Sequence, residues 1–134
     1  MPHAKFRGDI DLEAAWREPP AYRFSVPEED LHIKFLESYL GAGREVLLLR
    51  YLVVEGRLTQ TVQVLLAEAP GEWVLKLDRS CPTLRTAGVK LLLATLIPWF
   101  ERRGLKKTAS TVGAYESRGV FYSAHKGNDA NDAG

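Results

Sequence analysis

The stretch from Glu45 to Asp78, EVLLLRYLVVEGRLTQTVQVLLAEAPGEWVLKLD, decides the predicted fold. It divides into three strand-like segments, 45–54, 57–66 and 73–78, joined by Glu55-Gly56 and by Ala69-Pro70-Gly71-Glu72. A short connection that contains Gly is typical of a tight hairpin, and Pro followed by Gly is typical of a type II turn. The stretch therefore predicts a three-stranded antiparallel meander.

The two turns also predict which side chains share a face. A two-residue loop at 55–56 sets Tyr51 opposite Gln60, because side-chain direction alternates with period two. The second turn sets Val64 opposite Leu77. Both turns place aliphatic residues on the same side of the meander, so we expect that side to pack on the core.

The other side of the meander, called the reverse face below, is half apolar. It carries six aliphatic residues: Val46, Leu48, Leu52, Val54, Leu65 and Val74. Leaving several such side chains in water forfeits roughly 1.5 to 3 kcal/mol each, so we expect the reverse face to be covered. The first strand is also expected to be an edge of the sheet.

Two kinds of cover are possible for the reverse face. One is a terminal arm, and the aromatic and aliphatic residues of the two arms are Tyr22, Phe24, Val26, Phe121 and Tyr122. The other is a second copy of the chain, because a two-fold axis lets a surface patch meet itself. We favour the dimer, since the Thr and Gln residues beside the aliphatic ones give the composition of an interface with an apolar centre and a polar rim.

Two helices are predicted to flank the meander. Ser25 and Glu28 have the spacing of a capping box, which predicts a helix over 27–40 that ends at Gly41. A second helix is predicted over 83–103. The expected fold class is α+β, with two amphipathic helices packed on one face of a three-stranded or slightly larger antiparallel sheet, in the order helix-strand-strand-strand-helix, plus terminal arms.

The composition fits one small domain. The chain has 134 residues, of which 46% are hydrophobic and 26% are charged, and its formal net charge is +1. We expect a single domain over 1–125 with its core at 27–104, and a disordered tail at 126–134. A lone Cys81, no signal-peptide pattern and no apolar run of membrane length predict a cytoplasmic protein without membrane contact.

A small-ligand pocket is one interpretation of three polar residues. His32 falls in the apolar arc of the predicted first helix, and Tyr51 and Gln60 are the polar members of the core face. Polar groups that converge in an apolar setting are typical of ligand pockets. The alternative is that buried polar groups satisfy one another or a backbone carbonyl.

One cluster of basic residues lies at the C-terminal end of the second predicted helix: Arg102, Arg103, Lys106 and Lys107. Positive charge is stabilised at a helix C-terminus, and the same residues could bind phosphates. The order helix, three strands, helix resembles the topology of double-stranded RNA-binding domains, which implies recognition of RNA by shape. That family has a His-containing loop after its first strand and a Lys cluster that opens its second helix, and neither occurs at Glu55-Gly56-Arg57 or at 80–85. No residue role is carried over.

Catalytic and metal chemistry have little support in the sequence. Cys81 precedes Pro82 near the start of the second predicted helix, where a thiol can act as a nucleophile, but a structural thiol fits the same position. The histidines at 3, 32 and 125 lack metal-ligand spacing, so we predict no metal and no cofactor. The leading interpretation is a self-associating protein-interaction or assembly domain, followed by a small-ligand-binding regulatory domain, nucleic-acid binding and, last, an enzyme.

Overall fold

The computed structural model describes residues 2–124, which form seven strands, three α-helices and two short 3₁₀ turns. The strands are β1 (His3–Gly8), β2 (Arg23–Val26), β3 (Leu31–Leu40), β4 (Val46–Glu55), β5 (Leu58–Ala69), β6 (Glu72–Leu77) and β7 (Leu105–Ser110). The helices are α1 (Leu12–Arg17), α2 (Ala87–Glu101) and α3 (Glu116–Ala124), and the 3₁₀ turns are Pro27–Glu29 and Gly113–Tyr115. The tail predicted at 126–134 lies outside the described residues.

All seven strands belong to one antiparallel sheet with the order β2-β3-β4-β5-β6-β1-β7. The sheet curls into a half-barrel. The first strand of the chain, β1, is inserted between β6 and β7 rather than at an edge. The predicted fold class, a three-stranded sheet with two helices packed on one face, is therefore wrong.

The segment 27–40, predicted as a helix, consists of the 3₁₀ turn Pro27–Glu29 followed by the strand β3. Leu31 and Ile33 are buried and the residues between and after them are exposed, which is the period of a strand. A bulge between Phe35 and Glu37 then adds one residue, and Leu36 is left 39% exposed. The extra residue moves the following apolar positions out of phase, so their spacing resembles that of an amphipathic helix.

The strands β4, β5 and β6 form the predicted antiparallel meander in the middle of the larger sheet. Val64 pairs with Leu77, as the Pro70-Gly71 turn predicted. Gly71 has a φ of 77°, which the third position of a type II turn requires. The strand β4 lies between β3 and β5, so the expectation that it is an edge is wrong.

The first hairpin differs from the prediction by two residues in register. Its loop consists of Gly56 and Arg57, because Glu55 and Leu58 are already paired. Tyr51 consequently pairs with Val62 and not with Gln60. A shift of two residues preserves the direction of every side chain, so the predicted division between core face and reverse face is retained.

The helix α2 lies at the centre of the hydrophobic core. Thr86 caps it, with its hydroxyl accepting a hydrogen bond from the amide of Val89, so the helix begins four residues after the predicted start. Residues on every side of α2 are buried, including Leu92, Leu96 and Phe100. This burial arises because the curled sheet surrounds one side of α2 and α3 packs on the other.

The helix α3 joins the two edge strands of the half-barrel. On the β2 side, the rings of Phe24 and Tyr122 stack at a centroid distance of 4.4 Å. The hydroxyls of Tyr22 and Ser123 lie 2.5 Å apart. On the β7 side, Lys107 forms an ion pair with Glu116. The sequence alone had not indicated whether 105–125 forms strand, arm or helix.

Candidate functional site

The reverse face is the side of the sheet turned away from α2. Its six predicted aliphatic residues are all partly exposed, whereas inner-face neighbours such as Leu47 and Leu49 are 0% exposed. Cross-strand pairing divides the six into two groups. The larger, called the Leu48 group, contains Val46, Leu48, Leu65 and Val74 together with Tyr39 and Ala67. The smaller, called the Leu52 group, contains Leu52 and Val54.

A polar row separates the two apolar groups. Arg50 pairs across the sheet with Glu37 on one side and with Gln63 on the other, and it forms an ion pair with Glu37. A hydrogen bond to Tyr39, with the Glu37 carboxylate nearby, raises the pKa of Arg50. The positive charge at the centre of the reverse face is thus matched by a carboxylate.

The terminal segments that could have covered the reverse face lie on the other side of the sheet. Tyr22, Phe24 and Val26 are at most 4% exposed and belong to the core cluster. Tyr122 packs against the same cluster, and Phe121, on α3, is 55% exposed. Among residues 2–124, no helix or arm packs over the Leu48 group.

The sheet separates His32 from Tyr51 and Gln60, the other two residues predicted to converge on a ligand. Tyr51 is 0% exposed on the inner face, where its hydroxyl donates to the carbonyl of Pro20. Burial, with a smaller effect of Tyr22, raises the pKa of Tyr51 well above its ordinary value. His32 lies on the reverse face with 53% of its side chain exposed. The predicted contact between His32 and Tyr51 is therefore wrong.

Gln60 fixes the loop that precedes α2. Its Nε2 donates to the carbonyl of Leu84 at 3.1 Å, and its Oε1 accepts from the amide of Leu84 at 3.1 Å. This pair of hydrogen bonds uses both ends of the side-chain amide. Gln60 thus has a structural role that accounts for its position without a ligand.

Three of the four residues in the predicted basic cluster have contacts within the fold. Arg102 donates to the Ser123 hydroxyl at 2.9 Å, and the Arg103 guanidinium lies 3.9 Å from the centroid of the Trp99 ring. Lys107 pairs with Glu116, and Lys106 is exposed on β7. The cluster is therefore divided between the turn after α2 and the strand β7, and most of its charges already have partners within the fold.

The structure does not have the topology of double-stranded RNA-binding domains, which the order of predicted elements resembled. It required a helix before the meander, and β3 occupies that place. The meander is also the middle of a sheet of seven strands, not a sheet of three.

Cys81 lies on the loop before α2, six residues upstream of Ala87, where that helix begins. It is partly buried, with its Sγ 3.8 Å from the carbonyl oxygen of Thr61. Across residues 2–124 no group of three or more His, Cys, Asp or Glu side chains is arranged to hold a metal ion. None of the helices in this part of the chain combines the length and the apolar character needed to cross a bilayer.

Sequence reasoning missed one pair of residues on the reverse face. Arg23 of β2 and Lys34 of β3 lie directly opposite each other. The alternation of 31–34 was the signal that could have revealed them, because it places Lys34 and His32 on the same side of a strand. Assignment of this segment to a helix concealed the pair.

No family model matches the chain, and no curated protein or solved structure is significantly similar to it.

Proposed function

We propose that the protein is a cytoplasmic protein-interaction domain that self-associates through its reverse face, with the Leu48 group at the centre of a two-fold dimer. The observation that supports this proposal is the position of the terminal segments. Both terminal segments that could have covered the reverse face are packed elsewhere. Of the two expected kinds of cover, a terminal arm and a second copy of the chain, only the second copy remains. Its compartment is inferred from the single cysteine.

The dimensions of the reverse face suit a small dimer interface. Strands are about 4.8 Å apart and rise about 3.3 Å per residue, so the four strands β3 to β6 present roughly 600 Å². A standard interface buries about 800 Å² on each partner. The central strands with their flanking loops therefore supply most of the area that a specific dimer needs.

The composition of the face also fits an interface between identical copies. The Leu48 group forms an apolar centre, Gln63 lies beside it on β5, and Thr59 and Thr61 follow beyond Gln63, beside the Leu52 group. The Arg50 charge is already matched by Glu37. Desolvation of this centre against a second copy would leave no unpaired charge at Arg50, which would otherwise oppose association.

Sedimentation velocity tests the proposal. At about 100 μM, where an interface with a micromolar Kd is filled, we expect the wild type to sediment as a dimer. Leu48→Glu and Leu65→Glu should each give a folded monomer, because each places a carboxylate in the apolar centre. The matched control is Leu84→Glu, since Leu84 is 60% exposed in the loop before α2 and should not change the dimer.

Circular dichroism separates loss of association from loss of fold. A wild type that is monomeric at this concentration overturns the proposal. A dimer that persists in both folded variants overturns it as well, because the interface would then lie elsewhere.

A further inference from the structure

The pair Arg23 and Lys34 places two positive charges directly opposite each other on neighbouring strands. Like charges in this arrangement repel, and they destabilise a sheet relative to a neutral pair. Both side chains are exposed, and neither forms an ion pair or a side-chain hydrogen bond with any residue from 2 to 124. The isolated fold therefore contains an unmatched concentration of positive charge at this end of the reverse face.

The same end of the reverse face contains a cavity of about 200 Å³. Arg23, Lys34, Ser25 and His32 lie around it, and the Leu52 group contributes its apolar wall. Ser25 Oγ and His32 Nδ1 are 2.8 Å apart, so these two side chains hold each other in place. The cavity thus combines basic groups with an aliphatic surface.

The nearby carboxylates do not neutralise the pair. Asp30 lies 3.8 Å from His32 Nε2 and does not contact Arg23 or Lys34. Glu37, on the same strand as Lys34, is engaged by Arg50. An anion from outside the protein would neutralise the positive charges of Arg23 and Lys34 beside the cavity.

We propose that this cavity binds an oxyanion, a carboxylate or a phosphate, at the end of a short apolar chain. The guanidinium of Arg23 offers two parallel N–H donors that match either oxyanion, and Lys34 adds a second positive charge. The apolar chain lies against Leu52 and Val54. The cavity is smaller than the roughly 300 to 1,000 Å³ typical of drug-sized ligands, so it accommodates a head group and the first part of a chain.

Replacement of Lys34 should have opposite effects on the stability of the free protein and on ligand binding. Replacement of Lys34 by Thr removes the repulsion and introduces a residue with high strand propensity, so the free protein should melt at the same temperature as the wild type or higher. The same replacement removes half of the charge that holds the ligand. A residue with a purely structural role would instead lower the melting temperature when it is replaced.

A ¹⁵N NMR titration of the full chain with octanoate, octyl phosphate and inorganic phosphate, at constant ionic strength, tests the proposal. We expect saturable shifts of the Arg23, Ser25 and Lys34 amides with at least one of the two octyl compounds, and the compound that acts identifies the head group. Lys34→Thr should weaken that binding at least tenfold without lowering the melting temperature. Lys76→Thr, a lysine on β6 of the same face, should bind as the wild type does.

The cavity lies on the same face as the proposed interface but does not include the Leu48 group. The titration is therefore repeated on Leu48→Glu, in which no dimer through this face covers the cavity. Binding that persists in that monomeric variant supports the site whatever the fate of the dimer. Absence of saturable shifts with both octyl compounds overturns the site. Inorganic phosphate that binds as tightly as octyl phosphate, or unchanged binding by Lys34→Thr, overturns it too.

Discussion

Gly119 of α3 lies directly against the backbone of Ala94 in α2, where a Cβ atom at position 119 would stand 2.3 Å from the Ala94 carbonyl oxygen. The two helices approach this closely because no side chain separates them. Alanine favours a helix over glycine by about 1 kcal/mol, but it cannot fit here without moving α3. We expect Gly119→Ala to lower the free energy of unfolding by about 2 to 4 kcal/mol, as overpacking of a core does.

Urea unfolding measures this cost, and Ser117→Ala is the matched control on the exposed side of α3. The control should be neutral or slightly stabilising. A Gly119→Ala protein as stable as the wild type would contradict the close helix contact.

The stacked pair Phe24 and Tyr122 should contribute strongly to the attachment of α3. Removal of a partly buried aromatic ring loses its buried area and its ring contact, so Tyr122→Ala should destabilise the protein by about 2 to 4 kcal/mol. Val120 is 56% exposed on the same helix, and Val120→Ala should cost less than about 0.5 kcal/mol. Equal effects of the two substitutions in thermal unfolding would show that the stack is not important.

Glu55, at the end of β4, caps the N-terminus of α2 from outside the helix. Its carboxylate accepts a hydrogen bond from the Gly88 amide at 3.1 Å and another from the Thr86 hydroxyl. A carboxylate at a helix N-terminus is also favoured by the helix dipole, so Glu55→Ala should cost about 1 to 2 kcal/mol. Denaturant unfolding should show no such loss for Glu101→Ala, because Glu101 lies at the unfavourable C-terminal end of α2.

The buried hydroxyl of Tyr51 should make the protein sensitive to alkaline pH. Burial raises the pKa of Tyr51 well above the ordinary 10.0, and burial raises the pKa of Tyr22 also. The unfolded chain therefore releases these protons near pH 10 while the folded chain retains them. The contribution of these two protonated hydroxyls to the free energy of unfolding is fully present below about pH 10. Above pH 10 the free energy of unfolding falls by up to about 1.4 kcal/mol per pH unit for each hydroxyl.

Unfolding free energies measured on both sides of pH 10 test this dependence. Tyr51→Phe should lose about 1 kcal/mol at neutral pH with its hydrogen bond to Pro20, but its stability should fall less steeply in alkali. A slope identical to that of the wild type would contradict the assignment.

Local patterns predicted the meander and its two faces, because turn residues and strict alternation are signals within a few residues of each other. Val64 pairs with Leu77 as the Pro70-Gly71 turn required. The register of the first hairpin was off by two residues because Gly56 begins the loop instead of ending it. The division into core face and reverse face was insensitive to this difference.

The rest of the sheet depends on features that a local pattern does not contain. The bulge after Phe35 disturbed the alternation of β3 and favoured a helix. The pairing of β1 with β6 and β7 joins segments that are distant along the chain. The charge pair Arg23 and Lys34 depends on β3 being a strand, so the site on the reverse face could not be predicted before that assignment.

The place of β1 in the sheet has a consequence for how the protein folds as it is synthesised. Ala4 pairs with Leu75 on one side and with Ser110 on the other, so the strand made first has no partner until much of the chain has left the ribosome. Contacts between such distant residues slow folding, since the loop between them must close first. We expect the meander to form early and β1 to complete its pairing on both sides only after β7 has been synthesised.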